Sequence, residues 1–337
     1  ADRDRFERRG PGDATWIGRI RFEPQSRVVL TLKNGFVSGA IRSSLGVYEI
    51  RPYPGGGQVI EKIDTRRFPE CGGGRIAPSL APPGVSMRRP IGTDPASQIQ
   101  LMSLYTPQAR DGAGGTAQIQ SLIQAAVDAA NTAFEDSAMD ARFELVFVGE
   151  ASYNDSLDMD ADLDWLESDA GVAALRDQYA ADLVSLIVNQ GAYCGLGYVM
   201  RNPGPSFADW AFQVTHRACA VANLSFAHEH GHNMGFEHDP ANGTGSNNAS
   251  YEWSFGHYVN GSFRTVMSYS SECTLGCDRV GQFSNPSITY NGYSTGITGQ
   301  RDNAQTGDST ASIVANFRSG ATCGNGVREG GEECDGG

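Results

Sequence analysis

One twelve-residue segment constrains this chain more than any other, because it places three histidines and a glutamate at fixed helical spacings. Residues 228–239 read His-Glu-His-Gly-His-Asn-Met-Gly-Phe-Glu-His-Asp. Positions four apart lie on one face of a helix, so His228 and His232 can present both imidazoles to a single point. Gly235 lacks a Cβ and can take the left-handed turn that ends such a helix. His238 can then return as a third ligand.

This arrangement predicts a catalytic Zn²⁺ site. Three neutral imidazoles leave one tetrahedral position open, which a closed structural site lacks. Glu229 lies beside a ligand, where its carboxylate can take a proton from water at the metal and pass it to the leaving amine. Four of the six histidines fall within residues 228–238, which favours this interpretation over coincidence or a non-catalytic metal staple. We expect His230, His216 and His257 to be ordinary core or surface residues.

The pattern His-Glu-x-x-His-x-x-Gly-x-x-His resembles the signature of the metzincin clan of zinc peptidases. Thr265-Val266-Met267-Ser268-Tyr269 is similar to the clan's methionine turn. An Asp directly after the third histidine, here Asp239, resembles the pattern of the reprolysin or adamalysin branch. That branch includes the snake-venom and ADAM-type peptidases. The likeness spans about residues 97–320. Three further stretches look like that branch: Phe226-Ala227, Asn233-Met234 and Phe283-Ser284-Asn285-Pro286.

The resemblance implies a secreted, extracellular zinc endopeptidase that hydrolyses internal bonds of protein or peptide substrates. It implies an α/β (α+β) catalytic domain with a twisted sheet, the zinc helix at the floor of a cleft, and an irregular lower half. Met267 would be a hydrophobic floor under the metal, and Asp239 would tie the zinc helix to the turn. In some metzincins a tyrosine placed like Tyr269 swings towards the metal, although this branch does not generally rely on one.

Periodicity divides the chain into three parts. Residues 1–90 predict a β-rich domain and a Gly- and Pro-rich linker, and the resemblance implies that this part is an inhibitory propeptide. Residues 91–320 alternate strands and helices and predict the catalytic domain. Residues 321–337 look like the start of a cysteine-rich, disintegrin-like segment, for substrate docking or as a disordered stub. The elements expected in the central part are strands at 99–105, 142–148, 183–188 and 212–220, a helix at 118–134 and a broken helix at 163–179.

Charge separates the first part from the rest. Residues 1–90 carry 16 Lys+Arg against 9 Asp+Glu, and the remaining residues carry 10 against 30. A basic piece beside an acidic body favours an intramolecular partner and argues against nucleic acid, which the body would repel. The alternative is a solvated acidic surface that aids solubility. No run is long and apolar enough to span a membrane, and we expect a monomer.

The cysteine count is odd, so at least one of the seven thiols has no partner within the chain. Cys71, flanked by glycines, can enter a narrow cleft and occupy the open zinc position. This is similar to the cysteine switch of matrixin and ADAM propeptides, although the flanking residues match neither closely. A free or intermolecularly bonded thiol is the alternative. The other six suggest an oxidising compartment and pair most simply as Cys194 with Cys219, Cys273 with Cys277, and Cys323 with Cys334.

Some features leave alternatives open. Residues 155–169 hold seven acidic side chains in fifteen, which favours a solvated loop over a structural Ca²⁺ site because the EF-hand spacing is absent. Arg75, Arg88 and Arg89 are candidate activation sites. Two rival functions are an adhesion protein with a vestigial metal site, and an N-terminal piece that targets substrates. The sequence does not indicate which side chains the enzyme prefers to cleave beside.

Overall fold

The computed structural model describes residues 2–53, 56–77 and 98–318. The first two stretches contain β1 (Asp2–Gly10), β2 (Asp13–Arg19), β3 (Arg27–Lys33), β4 (Phe36–Ser43), β5 (Gly46–Pro52), β6 (Gln58–Ile63) and β7 (Arg75–Ile76). The third contains strands β8 (Gln98–Tyr105), β9 (Arg142–Glu150), β10 (Leu183–Val188), β11 (Gly195–Val199), β12 (Phe212–His216), β13 (Tyr258–Val259), β14 (Phe263–Arg264), β15 (Asp278–Arg279), β16 (Thr289–Tyr290) and β17 (Tyr293–Ser294). Its helices are α1 (Pro107–Ala113), α2 (Thr116–Asp136), α3 (Met159–Ser168), α4 (Ala170–Gln178), α5 (Ser225–Asn233) and α6 (Asn303–Val314).

The N-terminal part is an antiparallel sheet in which β1 to β6 are neighbours in sequence order. One face of this sheet lies on α2, and the contact includes buried polar side chains. Asp128 of α2 is buried and accepts hydrogen bonds from Thr15 and Thr31, while Arg9 pairs with the same carboxylate at 3.1 Å. Arg27 pairs with Asp136 at 2.7 Å. Basic side chains of the first part therefore meet acidic side chains of the second, in the direction that the charge separation predicts.

The central sheet has the order β7-β11-β12-β10-β8-β9. Strands β9, β8, β10 and β12 run parallel to one another, and β11 runs antiparallel to β12. Every residue of β10 is buried, as expected for a parallel strand covered on both faces. This mixed architecture, with a β-rich N-terminal part, confirms the predicted fold class. The two-residue strand β7 extends the sheet by pairing with the edge strand β11.

One predicted strand ends early, and one predicted broken helix is divided at a defined residue. The strand expected at 212–220 ends at His216, where a turn begins with a hydrogen bond from the Cys219 amide to the His216 carbonyl. The broken helix expected at 163–179 is two helices, because the Asp169 carboxylate accepts from the Val172 amide and starts α4. Among the helices that the structure describes, none combines the length and apolar character that a membrane crossing needs.

Two of the three predicted disulfides, Cys194–Cys219 and Cys273–Cys277, are present. The third pair, Cys323 with Cys334, lies outside the described residues, as do the C-terminal segment 321–337 and two of the candidate cleavage sites, Arg88 and Arg89.

The acidic segment 155–169 was expected to be a solvated loop, but most of it is helix α3, and several of its carboxylates accept hydrogen bonds within the fold. Asp155 accepts from the amides of Asn189 and Gln190, and Asp158 caps α3. The residues that the structure describes contain a cluster able to hold a metal ion, but that cluster lies elsewhere.

Candidate metal centre

Helix α5 is held at both ends. Its first residue, Ser225, donates its amide to the carbonyl of Cys219, whose disulfide with Cys194 joins this loop to the start of β11. At the other end, the Asn233 side-chain amide donates to the carbonyls of Tyr198 and Phe212, on two strands of the central sheet. The helix is thus anchored to the sheet through its own terminal residues.

The chain turns away directly after α5, at Gly235. This residue has a φ of +91°, and a Cβ there would lie 3.0 Å from the Ser250 Oγ and 3.1 Å from the Met200 carbonyl oxygen. Both the conformation and the crowding require glycine. The turn brings His238 back to the face of α5 that carries His228 and His232.

The three imidazoles converge through their Nε2 atoms. The Nε2 of His238 lies 3.1 Å from that of His228 and 3.0 Å from that of His232. Each Nδ1 faces a backbone carbonyl: Val266 for His228, Phe236 for His232 and Asn242 for His238, at 2.8, 2.8 and 3.3 Å. We therefore assign the ring proton to Nδ1 in each case, which leaves three unprotonated Nε2 atoms facing one another.

Burial favours the neutral form of these rings. It lowers the pKa of His232 to about 4, and burial followed by the neighbouring imidazoles lowers the pKa of His228 well below its ordinary value. Neutral imidazole is the form that binds metals. Three acceptor lone pairs aimed at one point would repel one another without a cation between them, so the donor set fits a metal such as Zn²⁺.

Cys71 completes the cluster from a distant part of the chain. Its side chain is 9 % exposed, and its Sγ lies 3.2, 3.9 and 3.0 Å from the Nε2 atoms of His228, His232 and His238. These four residues form a group that can hold a metal ion. Burial, followed by the Glu229 carboxylate, raises the pKa of the Cys71 thiol. A cation among these groups would favour the thiolate instead.

The backbone around Cys71 is fixed along the edge of the central sheet. The Cys194 amide donates to the Glu70 carbonyl at 3.3 Å, and the Gly72 amide donates to the Gly195 carbonyl at 2.8 Å. A few residues on, β7 pairs in parallel with β11. The segment that carries the thiol therefore runs along the sheet edge beside the histidine cluster.

Glu229 is fully buried, and neither of its carboxylate oxygens has a hydrogen-bond partner. Burial raises its pKa well above the ordinary value. A Cβ at Gly195 would lie 2.6 Å from the Glu229 Oε1, so only glycine fits there. Unpartnered buried carboxylate oxygens are rare in folded proteins and call for an explanation. Sequence reasoning missed the role of Gly195, although the Gly-Leu-Gly of β11 was a visible signal.

The turn that contains Met267 supports the cluster from below. A Cβ at Gly231 of α5 would lie 2.9 Å from the Met267 Sδ, so the thioether packs directly against the helix. The Asp239 carboxylate accepts from the Tyr269 amide at 3.0 Å, which joins the residue after His238 to this turn. The Tyr269 hydroxyl lies 2.9 Å from the Cys71 Sγ and donates to the Cys71 carbonyl.

The other three histidines lie away from the cluster. His230 is buried in the core, where its Nε2 accepts from Gln213 and its Nδ1 faces the Asn233 Oδ1. His216 contacts the Asn189 carbonyl, and His257 contacts Arg301.

Sequence reasoning also missed an ionic contact next to the cluster. The Glu70 Oε1 accepts from the Ser270 amide at 2.7 Å, and its Oε2 lies 3.5 Å from Arg279 and 3.7 Å from Arg264. The two arginines are far apart from Glu70 in sequence and form no pattern with it. The only signal available beforehand was the position of Glu70 directly before Cys71.

Comparison with known proteins agrees with this geometry. A family model described as "Metallo-peptidase family M12" matches residues 96–284. A peptidyl-Asp metalloendopeptidase of Xanthomonas campestris pv. campestris is 29 % identical over 91 % of this chain and 76 % of its own length. The corresponding protein of Stenotrophomonas maltophilia (strain R551-3) is also 29 % identical, over 94 % of this chain and 80 % of its own length.

Among solved structures, one chain of a chaperone-substrate complex is similar, with a TM-score of 0.53 and 18 % identity; the match covers 66 % of this chain and 35 % of that one. This likeness concerns the fold alone. The family match covers more than half of the chain and includes the whole histidine segment and the methionine turn. The chain therefore belongs to metallopeptidase family M12, and it is a zinc metalloendopeptidase.

Proposed function

We propose that His228, His232 and His238 hold the Zn²⁺ and that Glu229 is the general base in hydrolysis of internal peptide bonds. The observation that carries this proposal is the convergence of three unprotonated Nε2 atoms beside a buried, unpartnered carboxylate. When bound, Zn²⁺ polarises the scissile carbonyl and lowers the pKa of water.

The protein's own groups supply the proton transfers. Glu229 accepts a proton from the attacking water and delivers it to the nitrogen of the leaving amine. The carbonyls of Val266, Phe236 and Asn242 hold the three rings in the tautomer that leaves Nε2 free. Met267 closes the site from below without offering a ligand to it.

We propose that the uncut chain is latent because Cys71 occupies the remaining position at the metal. The Sγ distances to the three Nε2 atoms support this, as do the backbone hydrogen bonds of residues 70–76 to the sheet edge. The N-terminal sheet, docked on α2 through Arg9 and Arg27, would hold the segment in place. In this proposal residues 1–90 are the propeptide, and cleavage in or near the linker releases it. Arg75, Arg88 and Arg89 are the candidate cleavage sites, and of these the structure describes Arg75.

Further parts of the proposal rest on the resemblance, on the disulfides and on the names of the relatives. We place the catalytic domain at residues 91–320, in the reprolysin branch of the metzincins, and assign residues 321–337 to the start of a cysteine-rich segment. We propose that the monomeric enzyme is exported, since its two disulfides suit an oxidising compartment. The relatives are named peptidyl-Asp metalloendopeptidases, so we propose cleavage beside acidic residues.

The catalytic role of Glu229 is tested with purified protein activated by limited proteolysis. Wild-type protein should cleave casein, lose activity to a chelator and regain it with Zn²⁺. Glu229→Gln should lose at least about two orders of magnitude in kcat while its zinc content, measured by atomic absorption, stays at one per chain. Full activity in this variant would falsify the general-base assignment. Zinc-bound but inactive wild-type protein would favour an adhesion role instead.

The latch is tested in the uncut chain. Cys71→Ser should raise the activity of uncut protein well above the wild-type background, because the hydroxyl is a much weaker zinc ligand than a thiolate. Cys71→Ser combined with Glu229→Gln controls for a contaminating protease and should stay inactive. Equal background activity in wild-type and Cys71→Ser protein would favour the targeting interpretation of the N-terminal piece.

A further inference from the structure

Two arginines next to the cluster are buried, and each guanidinium group has few hydrogen-bond partners. Arg264 is 1 % exposed and Arg279 is 3 % exposed. Arg264 donates one bond to the Ser268 carbonyl and Arg279 one to the Asn223 carbonyl, at 2.6 and 2.9 Å. The Nε of each has no partner. Burial, followed by the neighbouring Arg279, lowers the pKa of Arg264 to about 9. Two adjacent buried cations need an anion to offset the cost of desolvation.

The anion is supplied by Glu70. Its Oε2 lies 3.5 Å from Arg279 and 3.7 Å from Arg264, while its Oε1 accepts from the backbone amide of Ser270. Within the described parts of the chain, no other carboxylate lies within salt-bridge distance of either arginine. Asp239 lies nearby, but its oxygens accept from Tyr269, Ala241 and Asn242. The carboxylate that pairs with these two arginines therefore belongs to the segment that would leave on activation.

The position of Glu70 relates this contact to the reaction. Glu70 directly precedes Cys71, whose Sγ lies among the three Nε2 atoms. The Glu70 carboxylate therefore belongs to the residue next to the one whose sulfur contacts the imidazoles. Departure of the segment would leave both guanidinium groups without an anionic partner and the Ser270 amide without its acceptor.

We propose that Arg264, Arg279 and the Ser270 amide form a subsite for the acidic side chain of a substrate, and that Glu70 occupies this subsite in the uncut chain. The inference rests on the proposed peptidase function and assigns its specificity to named residues. A substrate with Asn or Gln in place of Asp or Glu would leave the two buried arginine charges without a counterion. A site of this kind strongly rejects a side chain that lacks the charge, because binding it would leave the buried charged groups of the protein without a partner.

The test uses full-length protein activated by limited proteolysis and a set of internally quenched peptides. The peptides differ at a single residue, Asp, Glu, Asn or Gln, and mass spectrometry identifies the bond that is cut. Wild-type enzyme should prefer the acid over the matching amide by at least about tenfold in kcat/KM. Arg279→Met should reduce kcat/KM for the acidic peptides by at least about tenfold and leave the amide peptides within about threefold. Arg279→Lys should restore part of the preference.

Arg176 provides a matched control. It is also 1 % exposed, and its guanidinium donates to the carbonyls of Ala181 and Asp182, away from the cluster. Arg176→Met should lower stability without changing the ratio of acid to amide cleavage. If Arg279→Met lowers both peptide classes equally, the arginines are scaffold and the subsite is refuted. Wild-type cleavage without acid preference also refutes it, whereas no chelator-sensitive cleavage of any peptide refutes the peptidase proposal itself.

A second measurement avoids substitution of a buried arginine. Glu70 lies at the rim, with a side chain that is 24 % exposed, so Glu70→Gln should fold. In the uncut chain this variant should increase the rate at which a thiol reagent modifies Cys71 by at least about fivefold, because the acidic anchor of the segment is weakened. An unchanged labelling rate would show that the arginines do not hold the Glu70 carboxylate.

Discussion

Glu49 should make the stability of the uncut chain depend on pH. This residue of β5 is 4 % exposed, and its carboxylate accepts from the amide of Ala222, in the loop that leads to α5. Burial raises the pKa of Glu49 from 4.5 to about 7, with Arg51, Glu61 and Arg217 as weaker charged influences. The folded state therefore prefers the protonated carboxyl. The favourable contribution is complete below pH 4.5 and is lost as the pH rises through about 7.

The magnitude follows from this difference. Each tenfold change in proton affinity corresponds to about 1.4 kcal/mol, so ionised Glu49 costs the folded chain about 3 kcal/mol above neutral pH. At pH 5 the cost is only about 1 kcal/mol, since most of the carboxyl is protonated when folded. Glu49→Gln has the same size and acceptor but cannot ionise. It should therefore become more stable than wild type as the pH rises.

The assay is denaturant unfolding of the uncut chain at pH 5 and pH 8. Comparison of Glu49→Gln with wild type at each pH cancels the titration of groups that both proteins share. The advantage of the variant should grow by about 2 kcal/mol between the two conditions. Glu252→Gln, at an exposed position that is not among the groups acting on Glu49, is the matched control and should show no such growth. If the variant has the same advantage at both pH values, burial does not raise the pKa of Glu49 and the argument is refuted.

Two further substitutions test the interface and the turn. Asp128→Asn should cost the uncut chain about 2–4 kcal/mol in denaturant unfolding, because Thr15, Thr31 and Arg9 lose a buried anionic acceptor; a loss below about 0.5 kcal/mol would contradict this. Gly235→Ala should cost about 1–3 kcal/mol and reduce zinc content, because its φ is +91° and a Cβ meets the Met200 carbonyl at 3.1 Å. Gly245→Ala, where the φ is −65° and nothing lies within 4 Å of a Cβ, should leave Tm unchanged.

Local patterns were sufficient for much of the fold. The strands at β8, β9 and β10 and the helix α2 were visible as apolar periodicity, because alternation and helical spacing depend on neighbouring residues. The end of β12 at His216 was not visible, because the strand stops where the Cys219 amide donates to the His216 carbonyl, and the sequence pattern does not show that turn.

By itself, the sequence determined which groups could meet a metal: three histidines and a glutamate at helical spacing around Gly235, all within twelve residues. Helix geometry is local, so spacing alone carried that information. Only the tertiary structure decided which nitrogen of each ring is free, because the partner carbonyl of Val266 lies 38 residues from His228. It alone placed Cys71 at the cluster and Glu70 between Arg264 and Arg279, since contacts between distant segments follow from chain packing and leave no period in the sequence.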